Sequence, residues 1–359
     1  MRILIVTGSS GGHIYPALAL IDSLKDSAND LLLVLPKKNQ DSFIVVEAVQ
    51  VKYIPASNLS YNLNSKNIKG VFLFLSGAWE SLRIVIKFRP EVVVGFGSLN
   101  TVALVFWAWL FRIKTIIHEQ NVIPGRANRL LAKLVDRVAV SFSQTKKYLN
   151  ISAKKIIFTG NPLRQDLIRI DRKKALDFLG FTDGKFNILI TGGSQGSHRL
   201  NTVCSEAVSI SQKKDNFQII HITGTGDFLA LQKKYRALNL TSKVFEFFLT
   251  MQYAYSVADL IICRAGATTV AELQRFAIPA ILIPYPFAYA HQKANACVLQ
   301  DLKAALIIKD EELTAENLTD RLDDLLMNPD KLKAMRKAYG QQISTDAAFL
   351  LAKEVLNLK

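Results

Sequence analysis

The sequence predicts an α/β protein built as two Rossmann-like parallel-sheet domains facing a cleft. Three observations carry that prediction. The chain has 359 residues, more than one hydrophobic core usually supports at about 150 residues per domain. Half of it is apolar and its mean hydropathy is +0.18, which excludes a disordered chain. Short β-branched runs alternate with helical stretches along both halves, the pattern of strands buried on both faces.

In chain order, strands are expected at 3–7, 31–35, 92–95, 115–118 and 137–140 in the first half. The second half repeats the scheme at 156–159, 187–191, 218–223, 260–263, 280–284 and 305–308. Gly160, Pro162 and their neighbours interrupt the pattern and mark a linker, giving one domain of residues 1–162 with a C-terminal helix from 343–359 and a second of 163–342. Helices at 329–339 and 344–358 close the chain. Residues 92–111 carry no charge, long enough to span a bilayer, but Gly95 and Gly97 break the run. The segment reads as strand, loop and helix.

Three cysteines without CxxC spacing argue against a disulfide framework or a zinc site and fit a reducing cytoplasm. The N-terminus lacks a secretory h-region and reads as a buried strand. The net charge of +15 is uneven: residues 1–162 hold 20 Lys+Arg against 9 Asp+Glu, a net of +11, and the remainder holds 25 against 21, a net of +4. Such an excess suits nucleic acid, anionic membrane or phosphorylated substrates. No nucleic-acid-reading motif appears, and neither half has the GxGxxG and acidic residue of a dehydrogenase.

Glycine-rich turns follow an apolar strand in each half. After 3–7 comes Thr7-Gly8-Ser9-Ser10-Gly11-Gly12-His13, with an apolar helix expected from Ala17; after 187–191 comes Gly192-Gly193-Ser194-Gln195-Gly196. Glycines admit an anion to backbone N–H groups beside a helix start, a geometry that cradles phosphate. A plain tight turn is the competing reading. His13, near the positive end of a helix, is biased towards the neutral form and is a candidate base; the alternative is a histidine satisfied within its turn. A third loop, from Cys263 to Glu272, leads from a strand into a helix whose N-terminus suits a diphosphate. Glu272 is either a capping carboxylate or an acceptor of ribose hydroxyls.

Taken in order, Gly-Gly-His at 11–13, His-Glu-Gln-Asn at 118–121 with Gly125 and Asn128, Gly-Asn-Pro-Leu-Arg at 160–164, Gly-Gly-Ser-Gln-Gly at 192–196, Cys-Arg-Ala-Gly-Ala-Thr-Thr-Val-Ala-Glu at 263–272 and His-Gln-Lys-Ala-Asn-Ala at 291–296 make the chain resemble the MurG-type undecaprenyldiphospho-muramoylpentapeptide β-N-acetylglucosaminyltransferases. The resemblance implies a GT-B fold, peripheral attachment to the cytoplasmic face of the cell membrane, and inverting transfer of GlcNAc from UDP-GlcNAc to the muramoyl 4-hydroxyl of lipid I, giving lipid II. It also implies an anionic membrane surface as a partner, and possible contact with cell-wall synthesis and division proteins. Positions matching the family's donor contacts are Ser10, Gly11, Gly12, Asn128, Arg164, Ser194, Phe248, Ala267, Thr268, Thr269, Val270, Ala271, Glu272, His291, Gln292 and Asn295. Arg164 and the Phe248 backbone would border uracil, Glu272 the ribose, Ser194 and Ala267-Thr268 the diphosphate, and Gln292 and Asn295 the sugar hydroxyls. His13 is the candidate base, and Glu119 its competitor or a carboxylate that orients loop 118–128. No Asp-x-Asp cluster is placed for Mg²⁺, so neither metal nor cofactor is expected.

The chain departs from the family pattern in the loop after 92–95. Gly95, Gly97 and Ser98 are the expected acceptor-side residues, but Ser98 and Val102 stand where glycines are usual and Leu99 where a tyrosine is. Ala265 likewise replaces a serine. Phe72, Phe74, Trp79, Trp107 and Trp109, ringed by Lys66, Lys69, Arg83, Lys87, Arg89, Arg112 and Lys114, form a candidate membrane-docking patch. His198, His221, Cys263 and Cys297 read as structural. Two alternatives remain at this level: a GT-B enzyme acting on another lipid such as diacylglycerol, and a non-catalytic UDP-sugar-binding scaffold.

Overall fold

The computed structural model describes residues 1–25, 30–37, 49–55, 65–193, 195–287, 290–340 and 346–358. The chain divides into two compact units, Met1–Gln165 with Thr345–Lys359, and Asp166–Ser344.

The first unit contains strands β1 (Arg2–Val6), β2 (Asp30–Pro36), β3 (Gln50–Ile54), β4 (Val92–Gly95), β5 (Lys114–Glu119), β6 (Arg137–Val140) and β7 (Ile156–Phe158). They form one parallel sheet in the order β3-β2-β1-β4-β5-β6-β7. Its central strands are near-continuous apolar runs because helices cover both faces. Those helices include α1 (Gly11–Leu24), α2 (Ser65–Phe88), α3 (Leu99–Leu110) and α4 (Arg126–Leu131). The run 92–111 is indeed strand, turn and a 12-residue helix. Among the described residues no helix is long and apolar enough to cross a membrane.

The second unit repeats the scheme with α5 (Arg172–Leu179), β8 (Phe186–Thr191), α6 (His198–Ile210), β9 (Phe217–Ile222), α7 (Phe228–Ala237), β10 (Ser242–Phe245), α8 (Met251–Val257) and β11 (Leu260–Cys263). It continues through α9 (Ala267–Phe276), β12 (Ala280–Leu282), α10 (His291–Asp301), β13 (Ala305–Ile307), α11 (Ala315–Met327) and α12 (Pro329–Lys337). The parallel order is β10-β9-β8-β11-β12-β13. The last helix, α13 (Ala347–Leu356), returns to the first unit, where Leu351, Ala352 and Val355 join the core beside α1.

Three expectations need correction. Residues 156–158 pair with β6 and end the first sheet instead of opening the second. The helix after β1 starts at Gly11, not at Ala17, since His13 and Ile14 already donate to the Ser10 carbonyl. Arg164 falls in the first unit, which runs to Gln165. Strands β3 and β10 escaped the sequence reading because each lies at a sheet edge and is only half-buried.

Candidate active site

In each sheet the strand order reverses direction at one point, between β1 and β4 in the first and between β8 and β11 in the second. Ligands of doubly wound sheets sit beyond the carboxyl ends of strands at such a switch point. All four glycine-bearing turns of interest leave these four strands.

In the first unit the turns after β1 and β4 close upon each other. A Cβ on Gly8 would lie 2.7 Å from Ser98 Cβ and 2.8 Å from His13 Cδ2, and one on Gly97 would lie 3.3 Å from Asn128 Nδ2 and 3.4 Å from His13 Cε1. Gly8, Gly97, Ser98, His13 and Asn128 therefore converge. His13 occupies the first turn of α1, following the Ser10 N-cap and Gly11-Gly12. Burial pushes its pKa below the usual histidine value, opposed by the charge of Glu119, the Gln120 side chain and the Phe96 carbonyl. Net, the imidazole is held neutral at physiological pH, as a base requires. Gly95 has another use: a Cβ there would meet Thr101 Cγ2 at 2.6 Å, so it lets α3 close on the strand.

The His-Glu-Gln-Asn segment at the end of β5 organises this convergence. Glu119 is buried, and its two oxygens accept from Asn121 N (2.8 Å), Asn121 Nδ2 (3.2 Å), Gly125 N (3.0 Å) and Asn128 Nδ2 (2.8 Å). A carboxylate so fully engaged shapes the 121–128 turn. His118 is buried with Nε2 3.0 Å from the Gly160 carbonyl, and burial holds its pKa at about 4, so its neutral N–H donates there. Asn128 also donates to the His118 carbonyl (3.1 Å). Arg164 lies over the Tyr15 ring of α1, its guanidinium carbon 5.3 Å from the centroid.

The second unit builds its loops from backbone. A Cβ on Gly196 would lie 2.1 Å from the Thr223 carbonyl oxygen and one on Gly224 2.8 Å from that of Gln195, so the turns after β8 and β9 touch main chain to main chain. Ser194 lies outside the described residues. Asn201 and His221 lie beneath these turns: Asn201 Nδ2 donates to Thr223 O (2.8 Å), and His221 bridges Asn201 Oδ1 (3.1 Å) and Tyr235 Oη (2.8 Å).

The turn after β11 ends in Gly266, N-cap of α9, whose first residues are Ala267, Thr268, Thr269, Val270 and Ala271. Gln292 Oε1 accepts from Ala265 N (3.2 Å) and Tyr285 N (2.9 Å), and Asn295 Nδ2 donates to Ala265 O (3.2 Å). Asn295 is fully buried, and its amide supports the turn from behind. His291 opens α10. Glu272 accepts from Tyr255 Oη at 2.8 Å, and the Phe248 ring packs 4.5 Å from that of Phe245. Arg264 went unassigned in the sequence. Buried, it donates to Asp310 (2.5 Å), Ser197 Oγ (2.9 Å) and the Ile283 carbonyl (3.2 Å), joining the turn after β8 to that after β11. A charged residue ending an apolar strand was the available sign.

Residues 3–140 match the glycosyltransferase family 28 N-terminal domain and residues 187–351 its C-terminal domain. Over 99% of its length the chain is 34% identical to a UDP-N-acetylglucosamine–N-acetylmuramyl-(pentapeptide) pyrophosphoryl-undecaprenol N-acetylglucosamine transferase of Halalkalibacterium halodurans, with 99% of that protein covered. It is 35% identical to the enzyme of the same name from Caldanaerobacter subterraneus subsp. tengcongensis, with 97% of each covered. The chain belongs to the MurG-type transferases of glycosyltransferase family 28. Among solved structures, Acinetobacter baumannii MurG has a TM-score of 0.76 and 28% identity, covering 99% of this chain and 100% of that one. Within this MurG-type chain the departure at Ser98 has a backbone consequence: Ser98 adopts φ 80° and ψ 156°, a region essentially reserved for glycine.

Proposed function

We propose that the protein transfers GlcNAc from UDP-GlcNAc to the 4-hydroxyl of the MurNAc-pentapeptide of lipid I, with inversion, giving lipid II. The first unit is the acceptor and membrane-associated domain and the second the donor domain. His13 takes the proton of the acceptor hydroxyl as its oxygen bonds to the anomeric carbon. The bond from that carbon to the UDP oxygen breaks, and the charge arriving on the diphosphate is met by backbone N–H groups of the turn after β8 at Gly193, Gln195, Gly196 and Ser197 and by the start of α9. Glu272 receives the ribose hydroxyls, while Glu119, Gln292 and Asn295 hold the turns. The observation that carries this reading is the place of His13, held in the first turn of α1 against Gly8 and Gly97 at the switch point of the first sheet.

The first unit also supports membrane attachment. It carries 23 Lys+Arg against 11 Asp+Glu. Phe72 is 70% exposed and Trp79 57%, with Leu75, Ile86, Phe106, Trp109, Leu110 and Phe111 also exposed on α2, α3 and the residue after α3. Phe74 is half-buried, and Trp107 turns inward, donating Nε1 to the Ala78 carbonyl at 2.9 Å, so neither belongs to the exposed patch. The Lys66 and Lys69 side chains lie outside the described residues. Exposed aromatics beside Arg83, Lys87, Arg112 and Lys114 suit peripheral docking on the anionic cytoplasmic leaflet, each cation contributing about 1 kcal/mol.

Single-turnover transfer of labelled GlcNAc, with lipid I and diacylglycerol offered in parallel, tests the reading. Lipid I is the expected acceptor, and His13→Ala should lower kcat by roughly 10²–10⁴-fold with UDP-GlcNAc affinity retained. Near-wild-type turnover in that variant removes His13 from the role.

A further inference from the structure

We propose that Gln120 is a positioning residue for His13: its side-chain oxygen receives the Nδ1 proton of the imidazole and leaves Nε2 as the atom that takes the proton of the acceptor hydroxyl. The proposal rests on the reading of His13 as the base.

Gln120 follows β5 and is buried. Its Nε2 donates to the Phe96 and His118 carbonyls, each at 3.3 Å. Carbonyl oxygens only accept, so the amide can sit only with its nitrogen towards them. The oxygen must then point the other way. Gln120 Oε1 is buried there with no well-formed hydrogen bond among the described residues, and so is His13 Nδ1. The Gln120 side chain and the Phe96 carbonyl both act on the His13 ring, and both favour its protonated form. Each of these groups can only accept, so the imidazole nitrogen facing them carries the hydrogen. In the neutral ring that leaves the lone pair on the other nitrogen. The ring itself is held between two turns, with Cδ2 against Gly8 and Cε1 against Gly97.

The charged group acting on His13 is Glu119 from β5, and His13 in turn acts on the neighbouring His118; Gly97 and Ser98 from the β4 turn and Asn128 from α4 bring no charge. His118, held at about 4, is neutral where the enzyme works. Glu119 attracts the proton without selecting a nitrogen, since its own oxygens are engaged by the 121–128 turn. Gln120, with the Phe96 carbonyl beside it, is therefore what selects the tautomer.

Two measurements on the full chain decide the matter. The first is ¹⁵N–¹H correlation of histidine side chains, tractable with five histidines and assigned by His13→Ala. Wild-type His13 should show the Nδ1–H tautomer above its pKa; an Nε2–H tautomer overturns the proposal without any variant of Gln120. The second is the pH profile of kcat. Gln120→Leu removes the acceptor, so kcat should fall roughly 10–100-fold with KM for UDP-GlcNAc unchanged and the acid limb moved to lower pH. Gln120→Glu keeps an acceptor and adds a charge, so kcat should recover at higher pH and the limb move upward. A drop in kcat with an unmoved limb in both variants means a merely structural role and sinks the proposal. Full turnover in His13→Ala instead defeats the base reading, and the tautomer measurement still judges the Gln120 contact separately.

Discussion

The two units share a sheet topology and a glycine turn after the corresponding strand, yet they use the turn differently. In the first unit the glycines face side chains: Gly8 and Gly97 admit His13, Ser98 and Asn128. In the second they face main chain: Gly196 meets the Thr223 carbonyl and Gly224 that of Gln195. One arrangement fixes the position and protonation of an imidazole. The other fixes main chain against main chain, which cannot titrate and needs only geometry. The base and the diphosphate cradle proposed above would make these two different demands on one fold.

The largest expected effect follows from that contrast. Gly196 has φ 72° and Gly97 φ 79°, so alanine is strained at either, by about 1–2 kcal/mol. At Gly97 the nearest atoms are the ends of Asn128 and His13, 3.3 and 3.4 Å away, which can give. At Gly196 the obstacle is a backbone oxygen at 2.1 Å, and overpacking adds about 1–3 kcal/mol more. Gly196→Ala should thus lose about 2–5 kcal/mol of stability together with UDP-GlcNAc binding. Gly97→Ala should lose about 1–2 kcal/mol, keep UDP-GlcNAc binding and lower kcat. Urea unfolding and nucleotide-sugar titration of both variants check this, and equal losses would erase the distinction between the units.

Acid sharpens the comparison at the next level, because besides His13 each unit buries one neutral histidine. Burial holds His118 at about 4 and, despite Asp227, His221 at about 3. In the unfolded chain both titrate near 6.5, so between pH 6.5 and these values the unfolded state binds more protons and stability falls as pH falls. At pH 5 each histidine accounts for about 2 kcal/mol lost relative to pH 7. Unfolding midpoints measured from pH 7 to 5 should decline in the wild type, and the decline should be shallower in His118→Gln and in His221→Gln. An unchanged slope in either variant would show that the histidine is charged, or released, before the fold opens.

How far such features were legible depends on the range of the interactions behind them. The apolar runs at 3–7, 92–95, 187–191 and 260–263 announce central parallel strands because burial on both faces leaves few other compositions. Lys52 and Tyr53 in β3 and Ser242 and Lys243 in β10 announce nothing, since an edge strand tolerates polar residues. His13 could be picked out from its place after a strand and before a helix. The work of His118, Gln120 and Arg264 could not, because their partners Gly160, Phe96 and Asp310 lie 42, 24 and 46 residues away. Gln292 and Asn295 were legible as neighbours of a donor loop, but whether an amide faces ligand or backbone is decided only by packing.

The smallest effect concerns the one residue where the first unit departs from its own pattern of glycine turns. Ser98 sits at φ 80° and ψ 156°, a conformation costing a side-chain-bearing residue about 1–3 kcal/mol. Its Oγ offsets part of this by accepting from Asn100 N at the start of α3, but at 3.3 Å that bond is long and contributes about 0.5 kcal/mol. Ser98→Gly relieves the strain, forfeits the cap and frees the unfolded chain at a cost of about 0.5–1 kcal/mol. At the middle of these ranges the balance favours glycine by about 0.5–1 kcal/mol. Ser98→Ala keeps the strain and loses the cap, so it should destabilise by about 0.5 kcal/mol. The two variants therefore move the thermal midpoint in opposite directions, although both delete the same hydroxyl. Should both lower it equally, the hydroxyl outweighs the backbone, and the turn after β4 holds its shape through side-chain contacts as the rest of that unit's site does.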